Sequence, residues 1–209
     1  MPHPKEKTVN VRQLPSFPTT LAFIRREEGL RLAVYLCPAG VKTVGWGHVV
    51  EPHDGLNLGD CITEERATQF LESDVMRAYQ ALFRFVSIPL DDAQQTALVS
   101  FIFNLGGSRF QASTLRQKIN RREFEDAAQE FGRWVYARDP LKGLLRLKGL
   151  ASRRRREQML FLGHRACAPS SKLRASAPIK HPKRAPLPSS LWQKVAATWV
   201  GLLKAGWSS

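Results

Sequence analysis

Cysteine is scarce in this chain. Cys37, Cys61 and Cys167 are the only three in 209 residues, an odd number at spacings that fit no metal-binding pattern. They point to reduced thiols in a protein made in a cytosol rather than to a disulfide framework. A Cys37–Cys61 bridge stays open, because the sequence does not give their separation. Long apolar runs are missing too, so no confident membrane span is expected. The first residues, Met1-Pro2-His3-Pro4-Lys5-Glu6-Lys7, lack the apolar segment of a secretory signal. Acids are few: 18 Asp and Glu stand against 32 Lys and Arg, for a net charge of +14. The shortage is extreme from residue 166 onward, which holds no acid. Lys172, Arg174, Lys180, Lys183, Arg184, Lys194 and Lys204 there carry half of the net charge. Such a chain seeks polyanions, but charge alone does not choose among nucleic acid, anionic lipid, lipopolysaccharide and wall polymers.

Apolar residues make up 43% of the chain, enough for one domain with an appendage. Residues 1–17 read as a Pro-bearing lead. Thr19 or Thr20 can cap a first helix running to about Gly29. Two β-like segments follow, Leu32 to Leu36 and Val41 to Trp46. His53-Asp54-Gly55 and Leu58-Gly59-Asp60 read as turns. Thr63, with Glu64 and Glu65 behind it, starts a helix expected to reach about Phe85. Asp91 and Gln94 have capping-box spacing before another, with Leu98, Phe101, Ile102 and Leu105 on one face. Shorter helices are expected over about 113–119 and 123–136. An irregular stretch through Pro140 and Gly149 should then lead to a last helix over about 150–162. Helices dominate and the only expected sheet is small, so the fold class is α+β, mostly α.

The densest signal lies in residues 28 to 48. Glu28 ends a helical pattern and stands at the mouth of the hairpin, which supplies Cys37 and Thr43. A glutamate, eight residues, a cysteine, five residues and a threonine, with Gly29-Leu30, Tyr35, Gly40 and Gly45-x-Gly47-His48 around them, resemble the phage-type lysozymes, the endolysin muramidases of glycoside hydrolase family 24. Further along, 62–67 leading to Asp74-Val75, Phe101 to Gly106, Ser113-Thr114-Leu115, Trp134 and Gly149-Leu150-x-x-Arg153-Arg154-x-x-Glu157 resemble the same family. The resemblance covers roughly 18–165. It implies a two-lobe lysozyme-like catalytic domain with a small N-terminal β-hairpin lobe and a helical C-terminal lobe. It also implies cleavage of the β-1,4 bond between N-acetylmuramic acid and N-acetylglucosamine of peptidoglycan, with no cofactor and no metal. Release to the wall would depend on a holin.

Glycosidic cleavage needs a protonated carboxylic acid beside the leaving oxygen, and a second group that handles water or the positive sugar. Glu28 is the expected acid. The resemblance gives Thr43 a part in holding the water. It also puts Cys37 where an aspartate is frequent, so Cys37 is either a third catalytic group or a small buried turn residue. Glu27 is expected to face solvent. His48 is either a second acid/base or, by resemblance, the partner of Asp74, and Arg153 is expected to reach Glu28 from the C-terminal lobe. Asn104 is a candidate substrate-binding residue lining the cleft. Arg153 to Arg156 point in different directions on a helix and make no nucleic-acid face. No base-reading motif is present, so no nucleic-acid partner is expected. The protein is expected to be a monomer.

Residues 166–190 hold Pro169, Pro178, Pro182, Pro186 and Pro188 among Ser, Ala, Lys and Arg, the composition of an extended linker. On a helical wheel, residues 191–209 separate an apolar half with Trp192, Trp199 and Trp207 from a polar half with Lys194 and Lys204. This predicts an amphipathic helix suited to anionic membrane or lipopolysaccharide, with docking onto the catalytic domain as the alternative. The rival reading of the whole chain is a membrane-active or binding protein on a lysozyme-like scaffold.

Overall fold

The computed structural model describes residues 10–37, 40–139 and 143–163. The linker and tail, with Trp192, Lys194, Trp199, Lys204, Trp207 and Cys167, lie outside the described residues.

The first helix, α1 (Ser16–Glu27), begins earlier than Thr19 or Thr20 would place it. Pro18 lies in its first turn, where a missing N–H costs nothing. Thr20 is no cap. It is buried inside the domain, 2.8 Å from the Tyr79 hydroxyl, and donates to Thr96 Oγ1 at 3.0 Å. The Tyr79 hydroxyl donates in turn to Ser16 Oγ at 2.8 Å, and Ser16 to Gln95 Oε1 at 2.9 Å. This satisfied chain of hydroxyls fixes α1 against the helical lobe, although α1 is N-terminal in sequence.

The small lobe is a three-stranded antiparallel sheet, β1 (Arg31–Leu36), β2 (Lys42–Gly45) and β3 (His48–Val49), in that order. The segment after it folds back along the free edge of β1: Val34 N–H donates to Asp60 O at 2.8 Å and Ile62 N–H to Leu32 O at 2.9 Å. Gly45 has φ of +65°, and a Cβ there would meet the Ala67 side chain at 3.3 Å. A glycine is therefore needed where β2 turns over the next helix.

That helix is α2 (Glu64–Phe85). Thr63 Oγ1 caps it by accepting from the Arg66 N–H at 3.2 Å. Ala67, Leu71, Val75, Ala78, Tyr79 and Leu82 form its buried stripe. At 1.5 Å per residue it is a rod of roughly 33 Å, and it contacts both the sheet and the helical lobe.

The helical lobe is built around α3 (Asp92–Leu105), which the Asp91–Gln94 capping box starts. Every residue from Thr96 to Ile102 is buried, because α1, α2 and α7 (Lys148–Phe161) all pack on it. Phe101 sits edge-on to Phe131 and Trp134, with ring centroids at 5.3 and 5.6 Å. The short helices α4 (Gly107–Ala112), α5 (Thr114–Asn120) and α6 (Phe124–Glu130) close the other side.

Two expectations fail here. The helix expected over 123–136 ends at Glu130 in a 3-10 turn, Phe131–Arg133. The stretch read as irregular holds a second antiparallel hairpin, β4 (Tyr136–Asp139) with β5 (Gly143–Arg146), so the small sheet is not the only one.

Candidate active site

Glu28 owes its position to how α1 stops. Gly29 is not a left-handed cap. Glu28 itself turns extended, with φ −104° and ψ 149°, while its N–H still donates to Ile24 O. The side chain therefore leaves the chain where the helix gives way to the hairpin, with 17% of its surface exposed. Two adjacent glutamates at a helix C-terminus oppose the helix dipole. Two guanidiniums from α7 compensate for them. Arg153 Nη1 donates to Glu28 Oε1, and Arg156 donates to both oxygens of Glu27, its Nε to Oε1 at 2.7 Å. The expectation that Glu27 faces solvent is thereby corrected: it is buried against Arg156.

Arg153 is 2% exposed and fully engaged. Its Nε donates to Glu157 Oε1 at 3.1 Å, and its Nη2 to Ser100 O and Oγ, each at 3.2 Å. Ser100 Oγ donates to Glu157 Oε1 at 2.7 Å. Glu157, with no exposed surface, also lies 3.2 Å from Arg154 Nε. Burial would weaken the Arg153 charge, but the two carboxylates outweigh it and raise its pKa. The result is a rigid cation behind a partly open carboxylate.

The sheet supplies the opposite wall. Tyr35 and Thr43 are direct cross-strand partners, and Cys37 is two residues beyond Tyr35, so these side chains share one face. Arg31 stacks on Tyr35, its guanidinium carbon 3.9 Å from the ring centroid. Burial raises the Tyr35 pKa, and the nearby Cys37 and Glu28 add to the rise against the opposing Arg31 charge. Its phenol therefore keeps its proton and stands within the field of both groups. Thr43 Oγ1 donates to Val41 O at 3.1 Å. Cys37 is buried and Cys61 exposed, and both are free thiols. Asn104, at the end of α3, accepts from Arg154 Nη2 at 2.5 Å.

A partly exposed acid backed by a buried guanidinium, close enough to act on a tyrosine that shares its sheet face with a thiol and a threonine, suits proton delivery to a bond laid along that face. The chain's similarities agree. Residues 25–157 match the family model described as phage lysozyme. The chain is 39% identical over 146 residues to an endolysin of Acyrthosiphon pisum secondary endosymbiont phage 1, covering 68% of this chain and 93% of that protein.

The chain belongs to the phage lysozyme family.

It is accordingly a lysozyme, a hydrolase of the muramidase class. It is also 37% identical over 142 residues to an endolysin of Salmonella phage P22, covering 66% of this chain and 92% of that protein. The solved endolysin from Escherichia coli O157:H7 phage FAHEc1 superposes with a TM-score of 0.66 at 29% identity, covering 72% of this chain and 94% of that one.

In this lysozyme the expected His48–Asp74 pair is present, Nδ1 to Oδ2 at 3.0 Å. Sequence reasoning missed its third member: His48 Nε2 also lies 3.2 Å from Asp54 Oδ2, and the ring stacks on Phe70 at 4.1 Å. It also missed Tyr35 as a wall of the site, although alternation with Cys37 was there to read. Burial alone would lower the His48 pKa, but Asp74 and Asp54 together raise it above 6.5. Burial would likewise raise the Asp54 pKa, but the Glu51 backbone N–H and His48 bring it below 3.8.

The imidazolium's contribution is complete below the ordinary histidine value and is lost as pH rises through the higher folded value. The Asp54 part is present above its ordinary value and is lost as pH falls through the lower folded one. The stability gap between wild type and His48→Gln should therefore be widest near about pH 5 and narrow above about pH 7. A remainder from lost stacking on Phe70 should persist. Urea unfolding across that range checks this, and a gap independent of pH refutes it.

Proposed function

We propose that this lysozyme is an endolysin that hydrolyses the β-1,4 bond between N-acetylmuramic acid and N-acetylglucosamine in peptidoglycan, with Glu28 as the general acid. The observation that carries the reading is the Glu28 carboxylate, open to the cleft on one side and held by the buried Arg153 on the other. Binding a glycan strand covers the open side and brings the leaving oxygen within reach of the carboxyl group that donates to it. Arg153 holds the carboxylate in place through that change and stabilises the anion after the proton has left. Thr43, whose own proton is committed to Val41 O, has lone pairs free to accept from a water at the sheet face. Cys37 completes that face as a small thiol beside the protonated Tyr35.

Digestion of purified peptidoglycan followed by analysis of the released ends tests the reaction. New reducing muramic acid ends support hydrolysis of this bond. Anhydro ends would replace the reading with a lytic transglycosylase.

The biological setting follows from the same reading. The enzyme is made in the host cytoplasm and gains the wall after holin-dependent release, which leads to lysis. The basic linker and the tail bring it to anionic membrane or lipopolysaccharide. Burial of Trp192, Trp199 and Trp207 at the interface contributes about 25 cal/mol per Å² of apolar surface. Lys194, Lys204 and the linker cations add attraction that salt weakens. A chain ending near Arg165 should still digest exposed peptidoglycan. It should lose binding to anionic vesicles and any killing of intact Gram-negative cells from outside. Equal vesicle binding by the shortened and full-length proteins would assign the membrane contact elsewhere.

A further inference from the structure

We propose that Arg154 is a positioning residue that fixes the Asn104 amide with its NH2 group outward, as a donor to an oxygen acceptor on the wall glycan. The inference rests on the reading of a glycan substrate given above.

Arg154 is 1% exposed. Its guanidinium carbon lies 4.9 Å from the centroid of the Phe101 ring, and its Nε lies 3.2 Å from Glu157 Oε2. Stacking and charge thus seat the group before any amide is considered. Burial pushes its pKa down to about 10, so it remains a cation at neutral pH. Its Nε and Nη1 have no hydrogen-bond partner among the described residues, so its one hydrogen bond is the 2.5 Å contact to Asn104 Oδ1.

A guanidinium offers only donors. Whatever faces it must accept, and in asparagine only Oδ1 can. The amide nitrogen is therefore forced to the opposite side. Asn104 is only half-buried, and its Nδ2 meets no partner among the described residues. Asn104 also lies one helical turn beyond Ser100 on α3, about 6 Å along the axis. Ser100 accepts from Arg153, and Arg153 holds Glu28. The outward N–H pair therefore sits on the flank of α3 that Arg153 links to the acid. It matches a carbonyl or carboxylate oxygen: an acetamido carbonyl of the sugars, or a carboxylate of the lactyl and peptide substituents.

Asn104→Asp separates orientation from folding. An aspartate keeps and strengthens the contact with Arg154, so thermal stability should equal or exceed wild type. Its outward atom is an acceptor. KM for purified peptidoglycan should rise about tenfold, as for one lost hydrogen bond, with a much smaller change in kcat. Wall whose carboxylates have been amidated distinguishes the two acceptors. The same loss on both walls assigns a carbonyl, and a loss confined to untreated wall assigns a carboxylate. Arg154→Lys still presents only donors and should keep KM near wild type. Arg154→Gln can donate or accept, frees the amide to flip, and should raise KM. A folded Asn104→Asp with KM within about twofold of wild type overturns the inference, as does an Arg154→Gln indistinguishable from Arg154→Lys. If Glu28→Gln is inactive while Asn104→Asp is normal, only this inference fails. If Glu28→Gln is fully active, the glycosidase reading fails first.

Discussion

Glu28→Gln should reduce wall hydrolysis by roughly 10²-fold or more, the usual worth of a general acid. The fold should survive. Glutamine fills the same volume, and its Oε1 can still accept from Arg153, so the buried guanidinium keeps a partner. What disappears is the ability to pass a proton to the leaving oxygen and to carry the resulting charge. The measurement is turnover of purified peptidoglycan by a variant whose circular dichroism and melting curve match wild type. Near-wild-type turnover by such a variant would remove Glu28 from the mechanism.

Glu157→Gln should produce the largest loss of stability. Glu157 has no exposed surface and faces Arg153 and Arg154, which are themselves buried. Neutralising it leaves two guanidiniums in a low-dielectric interior with their shared counter-charge gone. Breaking a buried pair from one side typically costs about 3–5 kcal/mol. Ser100 also loses the charged acceptor that fixes its hydroxyl. Denaturant unfolding should show the loss directly. Glu123→Gln serves as the comparison, because its ion pair with Arg121 is solvent-exposed and its removal should leave the midpoint nearly unmoved. Equal midpoints for the two variants would show that the Glu157 network is not a stabilising centre.

Local chemistry made some parts of this fold legible and left others opaque. The start of α2 and the start of α3 could be read because Thr63 and the Asp91–Gln94 pair bond to backbone only three residues away. Glu28, Cys37 and Thr43 stand out through their resemblance to a family motif, and one hairpin sets the spacing of the last two. The second hairpin could not be read. Its strands are short, Leu144 and Tyr136 are exposed, and a proline between the two segments in the sequence reads as a break. Thr20 looked like a cap because its hydroxyl's true partners, Tyr79 and Thr96, are distant in sequence. Glu27 looked solvated for the same reason. Whether an acid at a helix end meets water or a guanidinium depends on Arg156, and nothing near Glu27 announces it. Glu157 stood within a visible motif, but its place as the shared counter-ion of two arginines is a property of packing.

The pairing of Glu28 with Arg153 joins residues 125 positions apart, and that of Glu27 with Arg156 spans 129. The ribosome delivers the two glutamates early and both arginines near the end of the catalytic unit. The helix that carries the acids packs chiefly on α3, so its main partner is absent until more than half of the unit has emerged. Contacts this distant form late, after the cost of closing the long loop has been met. A nascent chain therefore holds its acid and the hairpin that follows it, but not the cation behind the carboxylate. The catalytic geometry is completed only at this late step, so timing during synthesis is written into the topology, and a translation product cut short before α7 is born inert.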